Sequence, residues 1–234
     1  MTADDVANVF RGRTVVCAAS GPSLTAEDLE AVRGLPLVVC NSTWRLAPWA
    51  DVLVAMDTAW WRQYGSEVAQ AFPGYRVGST SQAVKFGATH STYGAVFHTF
   101  GNSGAMAVAF LARGRAARVV LLGYDAGAGP DGKLHWHPDH PKPLNNPQAS
   151  INRWPQQFDR VAKHCRERGV QVINASRATK LRCWPRMTIE EALRTATSNG
   201  TSGSSTSEAS GTRTHAAPPS VSATPPGPLA TAAT

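Results

Sequence analysis

The sequence predicts an α/β fold: a mostly parallel sheet with helices on both faces, followed by a disordered tail. Three observations predict it. Short apolar runs rich in β-branched residues alternate with helical patterns from about residue 13 to residue 180, as expected of strands buried on both faces. The first run ends in a tight turn of small residues, Ser20-Gly21-Pro22-Ser23-Leu24, before the first predicted helix. After residue 196 the chain becomes Ser, Thr, Gly, Ala and Pro with few large apolar groups, which cannot bury enough surface to offset chain entropy. These shifts divide the chain into a domain over 1–196 and a tail over 197–234.

Taken in order, Thr14–Ala19 (TVVCAA) reads as a strand. Thr25, with Asp28 three residues on, is a good N-cap for a short helix ending near Gly34. Residues 35–41 (LPLVVCN) and 50–57 (ADVLVAMD) read as strands, with a helix from about Thr58 to Phe72. A fourth strand is expected over 75–80. The stretch 81–100 is ambiguous, with a strand option at GAVFHTF. Small and apolar residues at helical spacing predict a helix over 102–114. The clearest strand is ARVVLLGYD (117–125). A Gly/Pro/His loop follows to about residue 150, then an amphipathic helix over 151–169, a strand over 170–176 and a short helix over 188–196. The architecture is Rossmann-like, and in such sheets ligands gather beyond the carboxyl ends of the strands. That rule selects residues 20–24, 40–44, 57–61, 102–104 and 123–140.

The 234 residues include 23 basic and 16 acidic side chains, and residues 151–195 hold ten Lys/Arg against four Asp/Glu. Such an excess suits an anionic partner, or simply a solvated basic helix. The four cysteines form no CxxC pair, and Cys17 and Cys40 sit inside apolar runs as small buried groups. The N-terminus lacks the pattern of a signal peptide, and no apolar stretch approaches a membrane span of roughly 20 residues. The expectation is a cytoplasmic protein with no membrane partner.

Four short motifs carry the chemistry. At Gly21 the backbone can approach a ligand closely, Pro22 pre-sets a turn, and Ser23 offers a hydroxyl. The first amides of the following helix are expected to stand bare toward an anion. Asn41, after Cys40, can donate and accept. Asn102-Ser103-Gly104 opens a small-residue helix, where either Asn102 or Ser103 could be the N-cap. Gly123-Tyr124-Asp125 closes the clearest strand with a carboxylate suited to orienting a hydroxyl or a metal. Each motif also has a bland reading as a turn, loop or cap. Trp44, Trp49, Trp60 and Trp61 read as packing rather than base stacking.

The order of these motifs (G-P-S-L, C-N some twenty residues later, S-G at a helix start, L-x-G-x-D at a strand end) resembles one superfamily. It joins the sialyltransferase-type glycosyltransferases of bacterial surface glycans to the MptE-like (DUF115) proteins, and tailed-phage proteins of the same kind also look similar. The resemblance spans roughly residues 13–180. It implies a Rossmann-like domain with nucleotide or nucleotide-sugar contacts at Ser20, Gly21, Ser23, Asn41 and Ser103. The sialyltransferase pattern has Gly-Asn before G-P-S-L where this chain has Ala19-Ser20, which shortens the polar reach. The glycosyl version implies transfer to an acceptor hydroxyl on a glycan, a small metabolite or a modified DNA base. A loop histidine, His137 or His140, would be the general base. The MptE-like version implies pyrophosphoryl transfer, with Asp125 or Asp57 holding Mg²⁺.

The loop sequence KLHWHPDHPKP supports a different class. His135, His137, Asp139 and His140 form H-x-H-x-D-H, similar to the zinc pattern of metallo-β-lactamase-like hydrolases. That family places the motif early in the chain and needs further ligands downstream, where only Asp159, His164 and His215 remain. A third class is a non-catalytic protein that binds nucleotide or DNA. Arg153, Arg160 and Lys163 on the 151–169 helix, and Arg177, Lys180 and Arg182 after the last strand, are candidates to meet phosphate.

Overall fold

The computed structural model describes residues 1–90, 101–141, 144 and 148–198. The strand option at residues 94–100 and the tail from residue 199 on therefore lie outside the described residues. The strands are β1 (Thr14–Ala18), β2 (Leu37–Cys40), β3 (Val52–Ala55), β4 (Tyr75–Gly78), β5 (Thr89–His90), β6 (Arg118–Leu122) and β7 (Gln171–Asn174). They form one sheet in the order β5-β4-β3-β2-β1-β6-β7, and every pair is parallel. Strands β1 to β5 build outward on one side of β1, while β6 and β7 extend the other side. The chain thus changes direction between β1 and β6, and a crevice opens there beyond the carboxyl ends.

The alternation along β1 shows how the layers arise. Val15 and Cys17 enter one buried cluster, and Val16 and Ala18 enter the other, because neighbouring side chains on a strand face opposite ways. The first cluster is covered by α1 (Ala3–Asn8), α5 (Ser103–Arg113) and α7 (Trp154–Glu167). The second is covered by α2 (Ala26–Glu30), the 3₁₀ turn Asn41–Arg45 and α3 (Thr58–Ala71). Helix α5 is buried along almost its whole length. Its run of alanines, with Met106, Val108, Phe110 and Leu111, lets it lie flat on the sheet. Three smaller helices complete the described chain: α4 (Ser81–Lys85), α6 (Gln148–Ile151) and α8 (Ile189–Ser198).

Local chemistry fixes the helix starts. Thr25 and Asp28 form the expected reciprocal capping box, and Thr2 with Asp5 forms another at α1, an element the residue pattern had not marked. At α5 the cap is Asn102, whose side-chain oxygen accepts from Ala105 N–H at 2.7 Å. The ambiguous stretch 81–90 resolves into α4, capped by Thr80, and the two-residue edge strand β5. The expected 151–169 helix begins at Trp154, with Pro155 in its first turn, and α6 is a separate turn before it. No helix among the described residues is long and apolar enough to cross a membrane.

Candidate functional site

The crevice between β1 and β6 is an open cleft beyond the carboxyl ends of the strands. Its lining includes Ser20, Gly21, Asn41, Asp57, Ser103 and Asp125, six of the predicted site residues. His135 lines it as well, whereas Ser23, His137 and His140 do not.

The two Gly-containing motifs turn out to lock onto each other. Gly21 N–H donates to the Gly123 carbonyl at 2.9 Å. Ser23 N–H donates to Asp125 Oδ2 at 2.9 Å, and the Ser23 hydroxyl donates to Asp125 Oδ1 at 2.8 Å. A methyl group on Gly21 would overlap the Asp125 carboxylate and the Gly123 carbonyl. Gly123 has φ +65°, and a Cβ there would lie 2.5 Å from the Ala19 carbonyl oxygen. The amides of Gly21 and Ser23, which the resemblance implied as nucleotide contacts, are therefore both taken by the turn after β6. The small residues are needed because two backbone turns pack against each other. Ser20 is likewise turned inward, its hydroxyl 2.9 Å from Thr43 Oγ1.

The helix start that lines the cleft is that of α5. Asn102 caps Ala105 N–H, but the N–H groups of Ser103 and Gly104, in the first turn, have no acceptor among the described residues, and both residues line the cleft. Three contacts aim this helix end. The Ser103 hydroxyl accepts Met56 N–H at 3.1 Å, just past β3. The Tyr124 hydroxyl donates to the Gly104 carbonyl at 3.1 Å, next to β6. The Asn102 carboxamide donates to Gln157 Oε1 at 2.7 Å. A buried 11-residue helix thus presents its positive end to the crevice.

Strain is concentrated in the same place. Among the described residues three non-glycine residues have positive φ: Asn41 (47°), Arg115 (56°) and Ala126 (55°). Asn41 and Ala126 both line the cleft. Asn tolerates this conformation better than most, while Ala in it is unfavourable by roughly 1–2 kcal/mol. The Asn41 Oδ1 atom is enclosed and has no hydrogen-bond partner among the described residues. A buried acceptor without a donor is unfavourable by roughly 1–3 kcal/mol, so Asn41 carries two local penalties at the cleft wall. Asp57, at the end of β3, makes no capping bond. It is exposed by area, but protein crowding its carboxyl raises it above the usual carboxylate range. Burial also raises the Asp125 carboxyl, against the opposing pull of its Ser23 hydrogen bonds.

The histidine loop folds back over this end of the sheet. Trp136 N–H donates to the Ser20 carbonyl at 3.2 Å, and His135 Nδ1 lies 3.3 Å from the same oxygen. A carbonyl only accepts, so this contact places the proton on His135 Nδ1 and leaves the Nε2 lone pair open. Burial, then the neighbouring His137, lowers the His135 pKa from 6.5 to about 4, so the ring is neutral near pH 7. The rings of His135, His137 and His140 gather with centroids 4.7–5.9 Å apart.

The gathering is not the zinc site that His135, His137, Asp139 and His140 suggested. Among the described residues no three His, Cys, Asp or Glu groups are placed to hold a metal ion. His135 and His137 stack face to face at 9°. His137 Nδ1 donates to the Pro138 carbonyl at 2.7 Å, His140 Nδ1 pairs with the Tyr64 hydroxyl at 2.8 Å, and Asp139 faces solvent. Asp125 accepts a Ser23 hydrogen bond on each oxygen, and Asp57 is the second carboxylate in the cleft lining.

No family model and no curated protein matches the chain. A solved structure of the C-domain, with NADP, of a bacterial malonyl-CoA reductase is similar over 82% of this chain at 15% identity, with a TM-score of 0.31. The match spans about a third of that structure, 32%. A likeness this weak carries no argument about ligand or activity. What fold and site define on their own is an all-parallel, Rossmann-like α/β protein with a strained, polar cleft at the point where its strand order reverses.

Proposed function

We propose that the cleft binds a nucleotide-activated donor and that the protein transfers its glycosyl group to an acceptor hydroxyl. The observation that carries the reading is the open start of α5 at the sheet's reversal point. The Ser103 and Gly104 amides meet the donor's phosphate. Asn41 supplies its unpaired acceptor to a nucleoside or sugar N–H or O–H, which relieves the orphaned oxygen. Asp57 accepts from sugar hydroxyls. Among the described residues the cleft lining is rich in Ser and Asn and holds no Lys or Arg, which suits a neutral sugar with few phosphates better than a triphosphate.

His135 takes the role of base that sequence reasoning gave to His137 or His140, because it borders the cleft and has an open Nε2. The acceptor oxygen bonds to the anomeric carbon as the bond from that carbon to the phosphate oxygen breaks. The electron pair leaves with the phosphate, and the acceptor proton passes to His135 Nε2. Asp125, fixed by Ser23, orients the attacking hydroxyl.

A thermal-shift screen of nucleotides and nucleotide sugars tests the binding step. A specific ligand at 100 times its Kd stabilises by roughly 2.7 kcal/mol, so the melting temperature should rise. Hydrolysis or transfer of the donor that binds should fall at least 100-fold in His135→Gln, with the shift itself retained. If no nucleotide or nucleotide sugar raises the melting temperature, the reading is wrong.

A further inference from the structure

A second groove lies outside the cleft, lined by Pro22, Ser23, residues 127–131, Lys133, Trp136 and residues 178–180. It shares three residues with the cleft: Asp125, Gly127 and His135 line both. The carboxylate and imidazole of the proposed chemistry therefore stand in the partition between two cavities. The cavities differ in charge. Among the described residues the inner lining has no Lys or Arg, whereas the outer one has two lysines. Lys133 is paired with Asp131 at 2.8 Å, and both side chains are more than half exposed. Lys180 has no carboxylate partner among the described residues. Its stem lies across Gly127: a Cβ at that glycine would stand 2.6 Å from Lys180 Cε and Nζ. The absence of a side chain at 127 thus leaves the space the ammonium fills, at the partition itself. Lys180 is held there by its own backbone, since its N–H donates to the Asp125 carbonyl at 2.8 Å.

We infer that the outer groove is the acceptor subsite and takes an anionic acceptor, a molecule with a carboxylate or phosphate beside its nucleophilic hydroxyl. Lys180 holds the acid group. The hydroxyl then reaches Asp125 and His135 from the side opposite the donor, which is the approach that displacement at the anomeric carbon requires. Lys180 is a binding residue in this scheme, and its ammonium selects charged acceptors over neutral ones. The inference rests on the transferase reading for the acceptor role, and the groove's anion binding stands or falls separately.

The probes are glycerate, glycerol 3-phosphate and glycerol, titrated into the full chain labelled with ¹⁵N. The resonance to follow is the Trp136 indole N–H, assigned by its loss in Trp136→Phe. One or both acids should move it saturably, and which acid binds tells carboxylate from phosphate. Glycerol should not move it. Lys180→Gln should weaken acid binding at least tenfold while its nucleotide-induced melting shift stays that of the wild type, which also shows that the variant folds. Lys180→Arg should restore most of the acid binding. The inference is overturned if no acid binds, if glycerol binds as well as the acids, or if Lys180→Gln binds them as tightly as wild type. Displacement of the acids by a nucleotide would overturn it too, since both would then occupy the inner cleft. Lys180-dependent acid binding without any nucleotide response would sink the transferase reading and leave the anion site standing.

Discussion

Asn41 is where stability and function pull apart most clearly. Its backbone is held at φ +47° and its Oδ1 is enclosed without a partner among the described residues. Asn41→Gly removes both penalties, although glycine gains freedom in the unfolded chain. The expected net effect is a gain of roughly 0–2 kcal/mol in urea unfolding, together with at least a tenfold loss of donor affinity by calorimetry. A less stable variant that still binds would contradict the role given to the carboxamide. The histidines set a pH dependence at the same scale. Burial and mutual repulsion lower His135 and His140 from 6.5 to about 4. The unfolded chain therefore takes up protons before the folded one does. The stability tied to neutral imidazoles is complete above about pH 6.5 and drains away as pH falls toward 4. His135→Gln/His140→Gln should flatten melting temperature against pH across that window, and an unchanged slope would remove the histidines as its cause.

Among the elements, the turn after β1 and the turn after β6 behave as one piece. Gly21 and Ser23 give their amides to Gly123 and Asp125, and a side chain on Gly21 has no room. Gly21→Ala should therefore destabilise by about 2–4 kcal/mol through forced backbone displacement, read as a lower urea midpoint, whereas Ser23→Ala should lose roughly 1–3 kcal/mol by leaving Asp125 short of a donor. Sequence reasoning found both motifs and their meeting place beyond the strand ends. It could not see that they satisfy each other, because a separation of 102 positions between Ser23 and Asp125 leaves no local signal of contact. Nor could spacing tell His135 from His137 and His140, since all three have the same chemistry. Ring direction is set by the Ser20 carbonyl, which belongs to a different strand end. The strong strands, the Thr25 cap and the small-residue helix were legible because propensity, period and capping agree there. The edge strand β5, two residues long, has too few positions to show a period.

At the scale of the whole molecule, the sheet order explains why so few residues make the site. With β1 and β6 adjacent and their connections running to opposite sides, neighbouring loops part and leave a gap that neither helix layer covers. The buried helix α5 enters that gap end-on, braced from β3, β6 and α7. The sheet's reversal point was legible only as a class of place. Its occupant, the start of α5 rather than of α2, follows from which helix start lines the cleft. Amide resonances of the full chain, followed while a nucleoside diphosphate is titrated in, address this directly. Each of the common nucleoside diphosphates should be tried. The expected result is a saturable downfield shift of Ser103 and Gly104 with the one that binds, while Gly21 and Ser23 stay nearly still. Movement at Gly21 and Ser23 with Ser103 and Gly104 silent, or silence at all four with every diphosphate, would show that the phosphate site has been placed at the wrong helix or does not exist.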